Sequence, residues 1–552
     1  MSQGPGPTEV PARALVKGAV VLGAAAIVSK LLGTMQKIPL QNVAGDNVFG
    51  IYNAVYPLYI TILVLATAGF PVAVSRFVAE ERALGRPDGA RSILKMALKL
   101  AVGTGLVCFV LLYFGAGTIA SWIGNRQTEE ALRSVSFALF FVPALATIRG
   151  YFQGIGQMAP TGVSQVAEQF VRVAVMVALL IMLVRADASD SLIAAGATFG
   201  SAAGALAGLG VVLLYWRSHR LRERGLRPVV RPDTTNGPRV GYGRFIAYAL
   251  PICLGAIVLP VLTLVDTFTM PRLLARSGYD EAGAMAQFGL YNHGLPLVQL
   301  VAMIVSSMSV ALVPAISEAK ASGTLAAVRG SAEASLRLTW LIGLAASAGL
   351  AVTAMPLNVM FYKEAEGYGV MMILAFTAVF SVMQIVSGAM LQGLGAERAT
   401  VLHLLAAALV KVVLNVWLMP VWGIAGAAVS AVAAYAVAAA LNVYRLRRLG
   451  FIRMPWRDYT WKPAVCTLVL SLAALAVVGA AEPLLTQAAP ELSYRWRMTV
   501  IALLAVAAGA LAFALTLFKT GAISAEELGA VPKHGNKLVS LLRKARLLRH
   551  RN

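Results

Sequence analysis

The sequence predicts an all-α polytopic membrane protein of about fourteen transmembrane helices: two parallel six-helix repeats, followed by two appended C-terminal helices. Three observations predict it: a charge-poor composition, apolar blocks of membrane length, and a match of the chain to itself at a fixed shift. Hydrophobic residues fill 59% of the 552 positions and charged residues 13%. That is too little charge to cover a soluble domain of this length.

The apolar residues fall in blocks at 15–36, 50–74, 97–120, 134–156, 160–184, 191–216, 245–268, 287–314, 336–359, 368–391, 399–419, 422–444, 463–481 and 498–518. Each is close to the roughly 20 residues that a helix needs to cross a bilayer. Arg13 and Lys17 ahead of a short apolar core also suit a signal peptide, but Lys30 and Lys37 follow without a clean cleavage site, so the first block reads as a span. Cys108, Cys253 and Cys466 each lie inside a block, far apart and without metal spacing. They read as small packing residues, and neither a metal nor a cofactor is expected.

The net charge of +22 is carried in short basic runs between the blocks, not in a groove-like cluster with interleaved aromatics, which argues against nucleic acid. Segment 217–244 holds eight arginines against Glu223 and Asp233, and 76–99, 445–462 and 519–552 are also basic. The alternate loops are balanced or acidic, as in Arg126 with Glu129 and Glu130, or Lys363 with Glu364 and Glu366. The basic segments are therefore expected on the cytoplasmic side of a bacterial inner membrane, with both termini there too. Leucines alternating with Lys and Arg over Lys537–Arg549 suit a helix lying on the anionic inner leaflet, or a disordered basic tail.

At a shift of 239 residues, Gly50-Ile51-Tyr52-Asn53 recurs as Gly289-Leu290-Tyr291-Asn292, Gln153-Gly154-Ile155-Gly156 recurs as Gln392-Gly393-Leu394-Gly395, Thr161 falls on Thr400, and Arg172 falls on Lys411. Polar matches in register over such a length mark a duplicated unit. Six helices per unit keep both copies in the same orientation, so the repeat is parallel. The expected organisation is an N-terminus at 1–14, a first bundle at 15–216, a basic linker at 217–244, a second bundle at 245–444, appended helices at 445–518 and a basic tail at 519–552. Two equivalent bundles are the architecture of alternating-access carriers, with substrate between the halves near the midplane. Pro57, Pro71, Pro143, Pro251, Pro260, Pro296 and Pro314 suit bends there, although membrane helices tolerate proline generally.

Ser29-Lys30-Leu31-Leu32-Gly33, Gly50-Ile51-Tyr52 leading into Tyr56-Pro57-Leu58-Tyr59, and Thr67-Ala68-Gly69-Phe70-Pro71-Val72-Ala73-Val74-Ser75 with Ala79-Glu80 resemble the stage V sporulation protein B branch of the multidrug/oligosaccharidyl-lipid/polysaccharide flippase superfamily. Leu312-Val313-Pro314-Ala315-Ile316-Ser317 and Gln392-Gly393-Leu394-Gly395 fit as well. The resemblance spans residues 15–518. It implies a flippase for an undecaprenyl-pyrophosphate-linked cell-wall precursor, foremost lipid II for peptidoglycan or spore cortex. It also implies basic residues on helices one, two and eight facing a central cavity. Lys30 matches the first, His293 stands where an arginine would align, and helix two has no basic residue between Gly50 and Ser75.

Intramembrane charges cost about 2.5–3.5 kcal/mol at a helix centre by insertion scales, so each is a candidate for function. Lys30 suits a cavity-facing anion contact or a lysine reaching the interface. Glu168 and Arg172 are four apart and share a helix face, as a structural pair or as part of a site. Lys411 has no acid four residues before it and suits a substrate or counter-ion role. Asp266 can pair with Lys30, bind a coupling Na+ or H+, or sit in interfacial water. His293 can titrate near neutral pH or simply pack. Arg76 and Arg149 suit anchors at the cytoplasmic ends of their helices, Arg149 alternatively the lining of the inner mouth, and His403 is a weaker candidate.

The excess of buried bases favours an anionic, lipid-linked oligosaccharide over the cationic drugs of an exporter in the same superfamily; another polyprenyl-linked polysaccharide unit is the remaining alternative. No loop exceeds about 30 residues and no nucleophile or metal constellation stands out, so an enzyme is not expected. The dipeptide Gly-Lys never occurs, which excludes the phosphate-binding loop of a primary pump.

Overall fold

The computed structural model describes residues 12–67, 69–225, 240–257, 260–453 and 459–522, and all regular structure among them is α-helical. The chain divides into two compact units, Met1–Ala275 with Tyr279–Ala286, and Arg276–Gly278 with Gln287–Asn552. The centre of the basic linker, the first eleven residues and the tail beyond Ala522, including Lys537–Arg549, lie outside the described residues.

The first unit is built from α1 (Ala12–Met35), α2 (Lys37–Thr67), α3 (Gly69–Ala83), α4 (Pro87–Ile123), α5 (Thr128–Ser136), α6 (Ala138–Gly154), α7 (Ala159–Arg185), α8 (Asp190–Gly225), α9 (Tyr242–Ile257) and α10 (Val261–Arg276). The boundary between units falls within α11 (Glu281–Asn292). The second unit continues with α12 (Leu295–Ala321), α13 (Leu325–Val352), α14 (Ala354–Tyr362), α15 (Tyr368–Leu374), α16 (Thr377–Gly393), α17 (Glu397–Trp422), α18 (Ile424–Arg448), α19 (Trp461–Ala488) and α20 (Tyr494–Lys519).

By length and composition, twelve described stretches can cross a membrane, or thirteen if the bent pair α9 and α10, broken by 50°, makes one span. The expected number was fourteen. The difference is concentrated at the start, where Leu22–Ala83 counts as one stretch of 62 residues. A straight helix of that length would run about 93 Å, three times the hydrocarbon thickness, so one crossing cannot contain it. The polar run 37–49, read from sequence as a connection between two blocks, is helical. Its polar side chains bond locally: Gln41 Nε2 donates to Asp46 Oδ1 at 3.0 Å and Asn42 Nδ2 to the Ile38 carbonyl at 2.8 Å. Gly45, at φ 77°, puts a break inside it that only glycine adopts readily.

The duplication read from sequence recurs in the backbone of each unit. Gly156 and Gly395, 239 residues apart, both take left-handed φ (77° and 72°) after α6 and α16. Gly124 and Lys363, at the same shift, do so after α4 and α14 (88° and 69°). Asn53 Nδ2 donates to the Phe49 carbonyl and Asn292 Nδ2 to the Phe288 carbonyl, each at 2.7 Å. Gly154 lets α6 close on α3, where a Cβ would lie 2.6 Å from the Ser75 carbonyl; Gly393 does the same for α16 on α12, 3.0 Å from that of Val313.

The helices α9 and α10, read from sequence as the opening of the second bundle, belong by packing to the first unit. Gly69 has no Cβ, and one there would collide with the Ala249 carbonyl. The Gly69 amide donates to Cys253 Sγ at 3.1 Å, Phe70 and Phe77 pack on Phe245, and Arg76 lies over the Tyr248 ring at 4.5 Å. The appended helices α19 and α20 pack against the second unit's α13 and α14. Arg495 fastens them there, its Nε and Nη2 each donating to the Met360 carbonyl at 3.0 Å. Hydrogen bonds from a charged group contribute about 1.5–3 kcal/mol. Arg495→Ala is therefore expected to lower the detergent melting temperature, whereas Arg497→Ala, which loses one exposed contact to Thr486, leaves it nearly unchanged; equal effects would show that Arg495 fastens nothing.

Candidate functional site

In the first unit, α7 carries Ser164, Glu168 and Arg172 at four-residue spacing, on one helix face. Helix α8 meets that face with Gly200, Gly204 and Gly208, also four apart. A Cβ at Gly200 would lie 2.6 Å from the Arg172 carbonyl, one at Gly204 2.5 Å from that of Glu168, and one at Gly208 3.1 Å from Glu168 Cβ. The glycine row lets the two backbones approach at the level of the ion pair, as small residues do between membrane helices.

Arg149, from α6, completes the arrangement. Its Nε donates to Ser164 Oγ at 2.9 Å and its Nη2 to Glu168 Oε2 at 2.9 Å. Arg172 Nη2 donates to the other carboxylate oxygen, Oε1, at 3.2 Å, and its Nη1 to Tyr56 Oη at 3.2 Å. Glu168 thus lies between two guanidinium groups, one on each oxygen, with side-chain exposures of 16%, 10% and 8% for Arg149, Glu168 and Arg172. The i, i+4 pairing of Glu168 and Arg172 was legible in the sequence; the third member was not.

Tyr56 connects the triad to α2. It stacks on Tyr52 with centroids 5.4 Å apart and lies 5.9 Å from Tyr59. Tyr52 Oη accepts from Gln36 Nε2 at 3.0 Å, and one residue along each strand of the sequence, Lys37 Nζ donates to Asn53 Oδ1 at 2.9 Å. Lys37 is buried at 9% exposure. Sequence reading placed it in a connection and so missed it. The available signal was Tyr52-Asn53 itself, a polar pair kept in both copies of the repeat inside an apolar block. Arg149, Arg172 and Lys37 against Glu168 leave this part of the first unit with excess positive charge in membrane-spanning helices, an arrangement that calls for a compensating anion.

The other sequence candidates lie apart from the triad's bonds. Lys30 is exposed on α1, which packs on α7 through Gly33 beside Gln169. Asp266 is buried in α10 and Lys411 in α17. His293 is fully enclosed in the second unit: Nδ1 is 3.0 Å from Asn358 Oδ1, the ring stacks on Tyr362 at 3.9 Å, and its carbonyl accepts from Tyr362 Oη. Asn358 in turn donates to the carbonyls of Glu364 and Glu366. That is the surrounding of a packing histidine. His403 is half-buried and meets Asn442 Oδ1 at 2.7 Å. Among the described residues, no three His, Cys, Asp or Glu side chains are grouped to hold a metal ion.

The glycine row can be tested directly. Gly204→Ala forces a methyl into the Glu168 carbonyl, and overpacking of this kind costs about 1–3 kcal/mol. The variant is expected to melt earlier than wild type, while Gly210→Ala, where a Cβ meets nothing within 4 Å, melts as wild type does. Similar melting of the two variants would remove the close approach as a determinant of the site.

The model of the polysaccharide biosynthesis protein family matches residues 15–320. Three proteins of Bacillus subtilis (strain 168) are similar along most of their length: the uncharacterized membrane protein YabM, 31% identical over 96% of both chains; the lipid II flippase MurJ, 26% identical over 85% of this chain and 87% of its own; and stage V sporulation protein B, 27% identical over 82% and 87%. The fold matches a solved lipid II flippase MurJ in an inward closed conformation, with a TM-score of 0.65 at 12% identity, covering 90% of this chain and 99% of that one. The activities named among these relatives are those of transporters, not of enzymes. A duplicated helical architecture, a family model matching more than half the chain and a relative alike from end to end lead to one conclusion: the chain is a multi-pass membrane protein of the polysaccharide biosynthesis protein family.

Proposed function

We propose that the chain flips an undecaprenyl-pyrophosphate-linked cell-wall precursor, foremost lipid II, across the cytoplasmic membrane by alternating access, with both termini in the cytoplasm. The observation that carries this reading is the buried surplus of cationic side chains around Glu168, which suits an anionic headgroup. Arg149 and Arg172 are the headgroup contacts in the first unit, Lys411 serves the second, and Lys30 supplies an exposed cation on α1. Asp266 is the acid through which a coupling Na+ or H+ would act. The named function of the MurJ relative supports the substrate class.

Export of cationic drugs fits less well. The acid at the centre of the site is already bonded to two arginines, so it offers no open negative charge to a cation. Deleting the gene and identifying the lipid-linked intermediate that builds up on the inner leaflet is the deciding experiment. An undecaprenyl-pyrophosphate glycan should accumulate, be cleared by the wild-type gene, and persist with Arg172→Ala or Lys30→Ala made at wild-type membrane levels. Loss of drug resistance with no lipid intermediate would replace the flippase reading by the exporter one.

A further inference from the structure

We propose that Glu168 is a resident anion: its carboxylate occupies a phosphoryl seat formed by Arg149 and Arg172, and an incoming pyrophosphate displaces it. This deepens the reading above and rests on it for the identity of the incoming group.

The geometry is that of a seat already filled. Each carboxylate oxygen takes a different guanidinium, at 2.9 and 3.2 Å, so the two arginines are held apart by the width of one small anion. A phosphoryl group presents oxygens at comparable spacing and is recognised by arginine in the same two-pronged way. Ser164 and Tyr56 hold the outer edges of the two guanidiniums, through Arg149 Nε and Arg172 Nη1, so that removing the carboxylate does not leave the arginines unanchored.

Donors outnumber the acceptors that Glu168 supplies. Each guanidinium has about five N–H groups. Arg172 Nε, in a side chain only 8% exposed, has no hydrogen-bond partner among the described residues, and neither does the fully buried Tyr59 hydroxyl. Buried polar groups are ordinarily satisfied, so the Arg172 Nε donor is one that a further acceptor at the seat can take. A pyrophosphate brings more oxygens than a carboxylate and up to a further negative charge to balance two cations. The charge arithmetic points the same way, because one acid between two arginines leaves a positive remainder in low dielectric.

The acid is also separable from the scaffold. At the repeat shift, Arg172 falls on Lys411 but Glu168 falls on Ala407. The duplicated helix therefore folds with a buried cation and no carboxylate one turn before it; Lys411 is 2% exposed. The acid is a feature of the first unit alone. A carboxylate that fills the seat keeps the cations paired while the carrier is empty. It also sets a threshold that only a more highly charged anion exceeds, so neutral lipids and monoanionic headgroups are turned away.

The test is pyrophosphate binding to the purified full chain, by calorimetry at low salt. Glu168→Gln keeps the shape of the side chain and removes its charge. It should tighten inorganic pyrophosphate at least about tenfold, since a unit charge at contact distance is removed from a partly buried site. Glu168→Asp, with a shorter reach, should tighten it by less, and adding Arg149→Gln to Glu168→Gln should abolish the gain. Unchanged or weaker binding of both inorganic pyrophosphate and undecaprenyl-pyrophosphate nanodiscs by a Glu168→Gln protein that melts cooperatively overturns the proposal. If that variant does not purify folded, Glu168→Asp decides by the same criterion. Nanodiscs containing undecaprenyl pyrophosphate are titrated in parallel: a gain with both ligands marks recognition of the phosphoryl group itself, and a gain with the nanodiscs alone assigns the seat to the lipid-borne headgroup. Flipping in reconstituted vesicles reports on the parent reading separately. Tighter binding by Glu168→Gln with no flipping by wild type keeps the seat and removes the flippase, while flipping by wild type with unchanged binding removes the seat alone.

Discussion

The constraint on which this structure turns is the cost of holding positive charge away from water. Two guanidiniums and an ammonium in helices of membrane length must each find an acceptor, and the first unit meets that need with one carboxylate, one serine, one tyrosine and one asparagine. Every acceptor comes from a helix other than, or a full turn away from, the cation it receives. The charges therefore join α2, α6 and α7 into one body in a medium where the hydrophobic effect does not drive helices together.

Glycine makes that body possible. The carboxylate reaches both arginines because α7 is seated against α8, and the seating requires backbone contact at Gly200 and Gly204. Sequence, packing and electrostatics meet at this point: a residue with no side chain on one helix positions the charged side chains of the next. The second unit keeps the buried cation but not the row, since Ala439, Val443 and Arg447 stand where Gly200, Gly204 and Gly208 would fall. Duplication preserved the fold of the two copies and left their polar interiors to diverge.

What could be read without coordinates follows the same division. Span-forming blocks, the duplication and the Glu168–Arg172 pair are local or periodic properties, and composition and spacing reveal them. Arg149 joins the pair from nineteen residues away, and Lys37 meets Asn53 across sixteen; no helical period relates such positions, so only the fold brings them together. The polar stretch 37–49 misled for a different reason. Its amide donors find acceptors along the helix and across to Asp190, which Asn47 Nδ2 reaches at 2.6 Å, and hydropathy cannot distinguish that from a hydrated loop. The place of α9 and α10 was hidden likewise, because the covalent order of the helices says nothing of which neighbour a bare glycine at 69 will admit.

The backbone contact between α7 and α8 has a mechanical meaning as well. Two helices whose backbones approach this closely at three successive turns resist sliding or rotating past each other. Any rearrangement of the first unit must carry them together, and the ions fixed to α7 travel as freight on a stiff strut.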